Sequence, residues 1–144
     1  MQSVKSERAE NIIKGILKYA RNDANIYTTG WCFDGGWSLQ TSLVAGDKSK
    51  ACVVYYGMPE KNLENLKNLK SPVYFVWPMQ DYWINKEVVS KFENNMKTLN
   101  KSLLVKSFDA DHAFANPSNP KFNKEFFALA FIEAMDFIKA NIKK

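Results

Sequence analysis

Apolar positions along this chain follow two alternating patterns, one with helical spacing and one typical of buried strands. Between residues 9 and 20, and again between residues 127 and 138, apolar side chains recur every three or four positions, which predicts a helix near each end. Helical segments are also predicted after Gly35-Gly36, at 61–69 and at 86–99. We therefore expect five helices, with the aromatic stripe of the last one packed in the core.

Four short segments between these helices are rich in β-branched and aromatic residues, which predicts strands at 25–30, 51–56, 73–77 and 103–108. The second and third are apolar on both faces, as expected when helices cover both sides of a parallel sheet. The alternation predicts a three-layer α/β fold, with a mostly parallel sheet of about four strands flanked by helices. No repeat, low-complexity tract or long linker interrupts the chain, so we expect one domain over residues 1–144.

Length and composition indicate an ordinary soluble protein. The chain has 144 residues, of which 46% are hydrophobic and 24% charged, enough to bury one core. No apolar run approaches the roughly 20 residues that span a membrane. Residues 1–5 lack the apolar stretch of a signal peptide. We therefore expect a cytoplasmic location and no membrane partner.

The net charge of +5 does not indicate a nucleic-acid partner. Lysines provide almost all of the positive charge and are scattered along the predicted helices, as on a solvated surface, and the chain has only two arginines, Arg8 and Arg21. Nucleic-acid recognition favours clustered arginine with interleaved aromatic residues. No nucleic-acid binding is expected.

Three residues capable of chemistry follow predicted strands. Cys32 follows the first strand, Asp81 the third, and His112, the only histidine, the fourth. In open α/β sheets function concentrates where the carboxyl ends of the strands meet. Each residue alone has a simpler interpretation: Cys32 as a small buried side chain, Asp81 as a turn residue and His112 as a surface histidine. Together they suggest a nucleophilic thiol, a base that takes its proton, and a carboxylate that orients the base.

The sequence around Cys32 strengthens this hypothesis. Residues 30–36, Gly-Trp-Cys-Phe-Asp-Gly-Gly, pass directly from strand to helix with small residues around one nucleophile, as in a nucleophile elbow. Such a turn presents the side chain at a helix N-terminus, whose dipole favours a thiolate. Cys52, in the middle of the second strand, is interpreted as a buried hydrophobe, and both cysteines are expected to be reduced.

Three segments are similar to the triad-bearing motifs of the dienelactone hydrolase family: residues 30–40, residues 80–85 (Gln-Asp-Tyr-Trp-Ile-Asn) and residues 111–117 (Asp-His-Ala-Phe-Ala-Asn-Pro). They occur in the family's order, and the resemblance runs from about Thr28 to the C-terminus. It identifies the chain with the C-terminal portion of an α/β-hydrolase domain, without the strands that begin the family's domain.

The resemblance implies hydrolysis of a small ester or lactone through an acyl-thioester, with Cys32 as nucleophile and Asp81 and His112 completing the triad. It implies no metal and no organic cofactor. It also implies substrate contacts at Phe33, whose backbone N–H would serve the oxyanion hole, at Phe114 and at Asn116. In the family a second oxyanion donor comes from a loop after an earlier strand, so weak activity is expected of this chain alone.

Two positions depart from the family pattern. Asp34 stands where glycine is usual, and we expect it to bring a side chain to the helix–strand contact and a negative charge near the sulfur, which opposes thiolate formation. Asn116 stands where the namesake enzyme has an arginine for its carboxylate-bearing substrate. This argues against dienelactone itself as the substrate.

Two other functions stay open. The chain is alternatively a catalytically silent α/β module that acts by association, either with a partner chain or as a homodimer through an open sheet edge at the first strand. A redox-sensing thiol at Cys32 is the third hypothesis, since the same turn favours a thiolate.

Overall fold

The computed structural model describes residues 6–142, which form a four-stranded parallel sheet with helices on both faces. The helices are α1 (Ser6–Tyr19), α2 (Phe33–Ala45), α3 (Leu63–Lys67), α4 (Lys86–Thr98) and α5 (Lys124–Ala140). The strands are β1 (Ile26–Trp31), β2 (Ser49–Tyr55), β3 (Val73–Pro78) and β4 (Leu103–Phe108). The predicted α/β fold and its order of elements are therefore confirmed.

The second helix begins earlier than expected, at Phe33 and not after Gly35-Gly36. Cys32 is its N-terminal capping residue, so strand and helix are joined by a single residue. The glycines therefore lie inside the first turn of α2, where they affect packing against the sheet.

The sheet has the order β1-β2-β3-β4, and every neighbouring pair is parallel. Successive crossovers step in one direction, so right-handed connections place α2, α3 and α4 on the same face. Leu39, Leu66 and Phe92 from these helices pack there with Cys52 and Phe75 of the sheet. The prediction that Cys52 is a buried core residue is confirmed.

Helix α5 covers the opposite face of the sheet. Its contact residues are the small side chains Ala130 and Ala134, which lie in a cluster with Tyr55 and Tyr74. The Tyr55 hydroxyl donates a hydrogen bond of 3.0 Å to the Ala130 carbonyl and ties the helix to β2. The expectation that the whole aromatic stripe of this helix is buried is wrong for Phe131, which is 48% exposed. The helix approaches the sheet most closely at the two alanines, and Phe131 lies outside that contact.

All four strands end on the same side of the sheet, so the loops that follow them converge there. Within residues 6–142, β1 pairs only with β2, and β4 pairs only with β3. None of the described helices is both long and apolar enough to cross a lipid bilayer.

Candidate active site

Cys32 adopts a backbone conformation that few side-chain-bearing residues take. Its φ is 55° and its ψ is −121°, outside the populated regions for residues with a Cβ. The backbone N–H of Cys32 donates to the Tyr55 carbonyl at 2.9 Å, so β2 holds the turn in place. The Cys32 side chain is exposed and makes no capping hydrogen bond to α2, which leaves the thiol available for other partners.

Three glycines allow β1, β2 and α2 to meet at this turn. A Cβ on Gly30 would lie 2.1 Å from the Asp34 carbonyl oxygen, and one on Gly57 would lie 2.5 Å from the Gly35 backbone carbon. A Cβ on Gly35 would lie 2.9 Å from the Tyr55 carbonyl oxygen. The expectation that the Asp34 side chain crowds this contact is wrong. The backbone carbonyl of Asp34 lies against Gly30 of β1, and the residue is exposed to solvent.

We expect Gly30→Ala to lower the free energy of unfolding by about 3 kcal/mol, since overpacking costs this much when backbone atoms must move apart. The matched control is Gly15→Ala, because a Cβ at Gly15 meets nothing within 4 Å. In the middle of α1, alanine is favoured over glycine by about 1 kcal/mol, so this variant gains stability. Urea unfolding measures both. Equal stabilities for the two variants would contradict the backbone contact at Gly30.

Asp81 follows β3 and is buried, with 3% of its surface exposed. One carboxylate oxygen accepts hydrogen bonds from the backbone N–H groups of Trp83 at 2.8 Å and Ile84 at 3.0 Å. The other oxygen lies 2.5 Å from Nδ1 of His112. Asp81 is therefore both the turn residue and the partner of the histidine that the sequence suggested.

His112 connects this carboxylate to the cysteine. Its Nε2 lies 3.0 Å from Sγ of Cys32, while its Nδ1 contacts Asp81. A carboxylate only accepts hydrogen bonds, so Nδ1 is the protonated nitrogen in the neutral ring and Nε2 is left to accept from the thiol. Among residues 6–142 no group of three or more histidine, cysteine or acidic side chains is arranged to hold a metal ion. The three side chains form one row of hydrogen bonds.

Two aromatic rings fix the imidazole plane. Tyr56 and Trp83 both lie edge-on to His112, with ring centroids 5.1 Å and 5.3 Å away. Burial, and secondarily the Cys32 sulfur, raise the pKa of Tyr56, so its phenol stays neutral at physiological pH. Tyr56 and Ala113 share with Cys32 a positive φ, of 39° and 62° respectively. Strained backbone of this kind accumulates at functional sites.

A cleft of about 260 Å³ opens beside the cysteine. Besides Cys32 itself it is lined by Trp31, Tyr56, Ala113, Ala115, Asn116, Pro117 and Phe127. Of the expected substrate contacts, Asn116 therefore lies at the cleft. Phe33 is half-exposed and packs edge-on to Trp37, outside the cleft.

Phe114 does not reach the cleft. Its side chain is fully buried and packs against Tyr56 and Phe108. The expectation that it contacts substrate is corrected: Phe114 supports Tyr56 from behind.

Tyr56 was not predicted as a site residue. Trp83 lies in the segment that resembles a family motif and Phe127 in the aromatic stripe of α5, but neither was assigned to the site. Tyr56 follows β2 directly, as Cys32 follows β1, and the convergence of strand ends is a signal that could have identified it. Phe127 belongs to the apolar stripe of α5, which predicts burial and cannot distinguish a core from a cleft wall.

Comparison with known proteins identifies the family of this chain. The sequence model of the dienelactone hydrolase family matches residues 1–142. A carboxymethylenebutenolidase of Pseudomonas sp. (strain P51) is 28% identical over 118 residues, which cover 81% of this chain and 48% of that protein. A carboxymethylenebutenolidase homolog of Xenopus tropicalis is 29% identical over 126 residues, covering 86% of this chain and 50% of its own length. The chain thus spans about half the length of these curated relatives.

The fold is also similar to that of solved hydrolases. A dienelactone hydrolase-like promiscuous phosphotriesterase from metagenomic libraries superimposes with a TM-score of 0.82 at 14% sequence identity, covering 95% of this chain and 63% of that one. At this identity the likeness concerns the fold alone. It agrees with the parallel sheet and its flanking helices.

Proposed function

Because this chain belongs to the dienelactone hydrolase family, we propose that it hydrolyses carboxylic esters or lactones with a Cys32–His112–Asp81 triad. The observation that carries the proposal is the pair of contacts made by the imidazole. Nε2 lies 3.0 Å from the sulfur and Nδ1 lies 2.5 Å from the buried carboxylate. This geometry suits a base whose tautomer is fixed by a carboxylate.

In the first half-reaction the thiol proton moves to Nε2 of His112 and the sulfur attacks the carbonyl carbon. The new C–S bond forms as the carbonyl π electrons move to oxygen. Asp81 stabilises the imidazolium through Nδ1. The intermediate then collapses, the C–O bond to the leaving group breaks, and the imidazolium gives its proton to the departing oxygen. An acyl-thioester on Cys32 remains.

In the second half-reaction water replaces the leaving group. His112 takes a proton from the water as its oxygen attacks the thioester carbon. The C–S bond breaks, the carboxylic acid leaves, and the imidazolium returns a proton to the sulfur. The free enzyme is restored with no net change in the protein.

The charge that develops on the carbonyl oxygen meets the start of α2. Phe33 is the first residue of that helix, so its backbone N–H has no partner inside the helix. One missing oxyanion donor costs roughly 10²- to 10³-fold in kcat. With Phe33 as the single donor assigned, we expect slow turnover, and the acyl-enzyme is the more sensitive readout.

The test is therefore to trap that intermediate. After brief mixing with p-nitrophenyl acetate and an acid quench, we expect one acetyl group on the peptide that contains Cys32, together with a burst of p-nitrophenolate. Cys52 is the internal control: burial raises the pKa of its thiol and it should stay unmodified. Acetylation only at lysines, or none at all, would refute the proposal.

A second candidate is self-association through β1, which would make the chain an interaction module. Strand β1 is Ile-Tyr-Thr-Thr-Gly-Trp, without a charged residue, whereas β4 at the other edge carries Lys106. Uncharged edges are templates for further pairing. A second copy related by a two-fold axis would pair its β1 antiparallel to the first and continue the sheet.

Light scattering after size-exclusion chromatography tests this association. A dimer is expected for the native chain, and a monomer for Thr29→Lys, because lysine on an edge strand opposes pairing. Thr29 is exposed, so the variant should keep its fold. A native chain that is monomeric at high concentration would contradict self-association.

A further inference from the structure

The cleft beside Cys32 is walled by flat aromatic and small side chains. The Trp31 ring stacks on Tyr55 with centroids 5.0 Å apart and planes 20° from parallel, so the indole is held in one orientation. Phe127 from α5 adds a second ring to the lining. A cavity of about 150 Å³ suffices to bind benzene, and this cleft measures about 260 Å³. The cleft therefore has the volume for one aromatic ring.

Among residues 6–142, none of those that line the cleft is charged. Asn116 is the one amide among them, and its side-chain oxygen already accepts from the backbone N–H of Ser118 at 3.0 Å. Lys121, in the loop between β4 and α5, is paired with Asp111 at 2.8 Å. A carboxylate entering the cleft would lose part of its hydration and find no counter-charge among the lining residues, which is unfavourable.

The position of the cleft relative to the triad indicates which part of the substrate it holds. Cys32 lines the cleft, whereas His112 does not. The leaving oxygen must lie at the imidazole that protonates it. The group in the cleft is therefore the one that stays on the sulfur, which is the acyl group.

From these observations, and building on the proposed function, we infer that the substrates are esters with an uncharged, flat, apolar acyl group. Trp31 and Phe127 determine this specificity. Asn116 leaves the cleft without the positive charge that an acidic acyl group would need.

The first arm of the test compares acylation rates for p-nitrophenyl benzoate and p-nitrophenyl 4-carboxybenzoate, which share a leaving group and differ by one carboxylate that cannot reach its own ester. Each rate is divided by that of a free thiol. We expect the benzoate to acylate Cys32 about tenfold faster or more, since an unpaired buried charge is costly. Trp31→Ala should reduce this ratio. Trp37→Ala is the matched control, because Trp37 lies on α2 outside the cleft, and it should keep the ratio. An equal or faster normalised rate with the 4-carboxybenzoate would overturn the inference.

The second arm separates the inference from the proposed function. Alkylation of Cys32 by N-phenyliodoacetamide and by iodoacetate requires no oxyanion hole, and each rate is divided by that of a free thiol. We expect the neutral aryl reagent to be favoured, and Asn116→Arg to shift the preference toward iodoacetate. If no ester acylates the protein but this preference holds, the proposed hydrolysis fails and the cleft's selectivity stands. A preference for iodoacetate in the native chain would refute the selectivity.

Discussion

Cys32→Ala is expected to lower the rate of the chemical step of ester hydrolysis by about 10⁴- to 10⁶-fold relative to the native chain. Alanine removes the sulfur on which the proposed acyl intermediate would form, and the cleft and His112 remain in place. Single-turnover release of p-nitrophenolate, followed with enzyme in excess, measures the loss without depending on slow deacylation.

The control for this variant is Cys52→Ala. Cys52 is fully buried between the sheet and helices α2 to α4, on the face opposite α5. Its loss should change stability slightly and leave the burst intact. If the two alanine variants lose activity equally, the effect is one of folding. If Cys32→Ala retains the native rate, the thiol is not the nucleophile.

Asp81→Asn is expected to lower kcat by about 10⁴-fold. The backbone N–H groups of Trp83 and Ile84 donate to one oxygen of Asp81. In the variant the amide oxygen keeps these bonds, which turns the NH₂ group toward Nδ1 of His112. Nδ1 must then accept a hydrogen bond, so the ring proton moves to Nε2. That nitrogen can no longer take the thiol proton.

The change should appear in kcat and not in KM, because Asp81 does not line the cleft. The matched control is Asp111→Asn. Asp111 is adjacent to His112 in sequence, but its carboxylate pairs with Lys121. This variant should keep most of the activity. Comparable losses in both variants would mean that Asp81 acts only through local charge.

The arrangement of the fold was largely predictable from local patterns. Helical and extended periodicity predicted five helices and four strands in the correct order, because the faces that are buried repeat with the geometry of each element. Helix α2 begins before Gly35-Gly36 because these glycines are inside the helix, where Gly35 allows a close contact with the backbone of β2. Phe131 was wrongly expected to be buried, because periodicity identifies the apolar face of a helix and not how much of that face the sheet covers.

The candidate site was predictable only in part. Cys32, Asp81 and His112 were found because each follows a strand, and strand ends converge in a parallel sheet. Phe114 was expected to contact the substrate from the resemblance to the family, although its side chain is buried in the core. Tyr56 follows β2 directly, which places it at a strand end without assigning it a role, and Phe127 shares the apolar spacing of α5 with core residues.

The sequence by itself determined the class of fold and the chemical types at the strand ends, since both depend on residues close together along the chain. Only the tertiary structure decided the 3.0 Å contact between sulfur and imidazole, the flanking rings of Tyr56 and Trp83, and the uncharged cleft. Those features depend on how side chains from separate elements are oriented and packed. Local pattern does not encode that information.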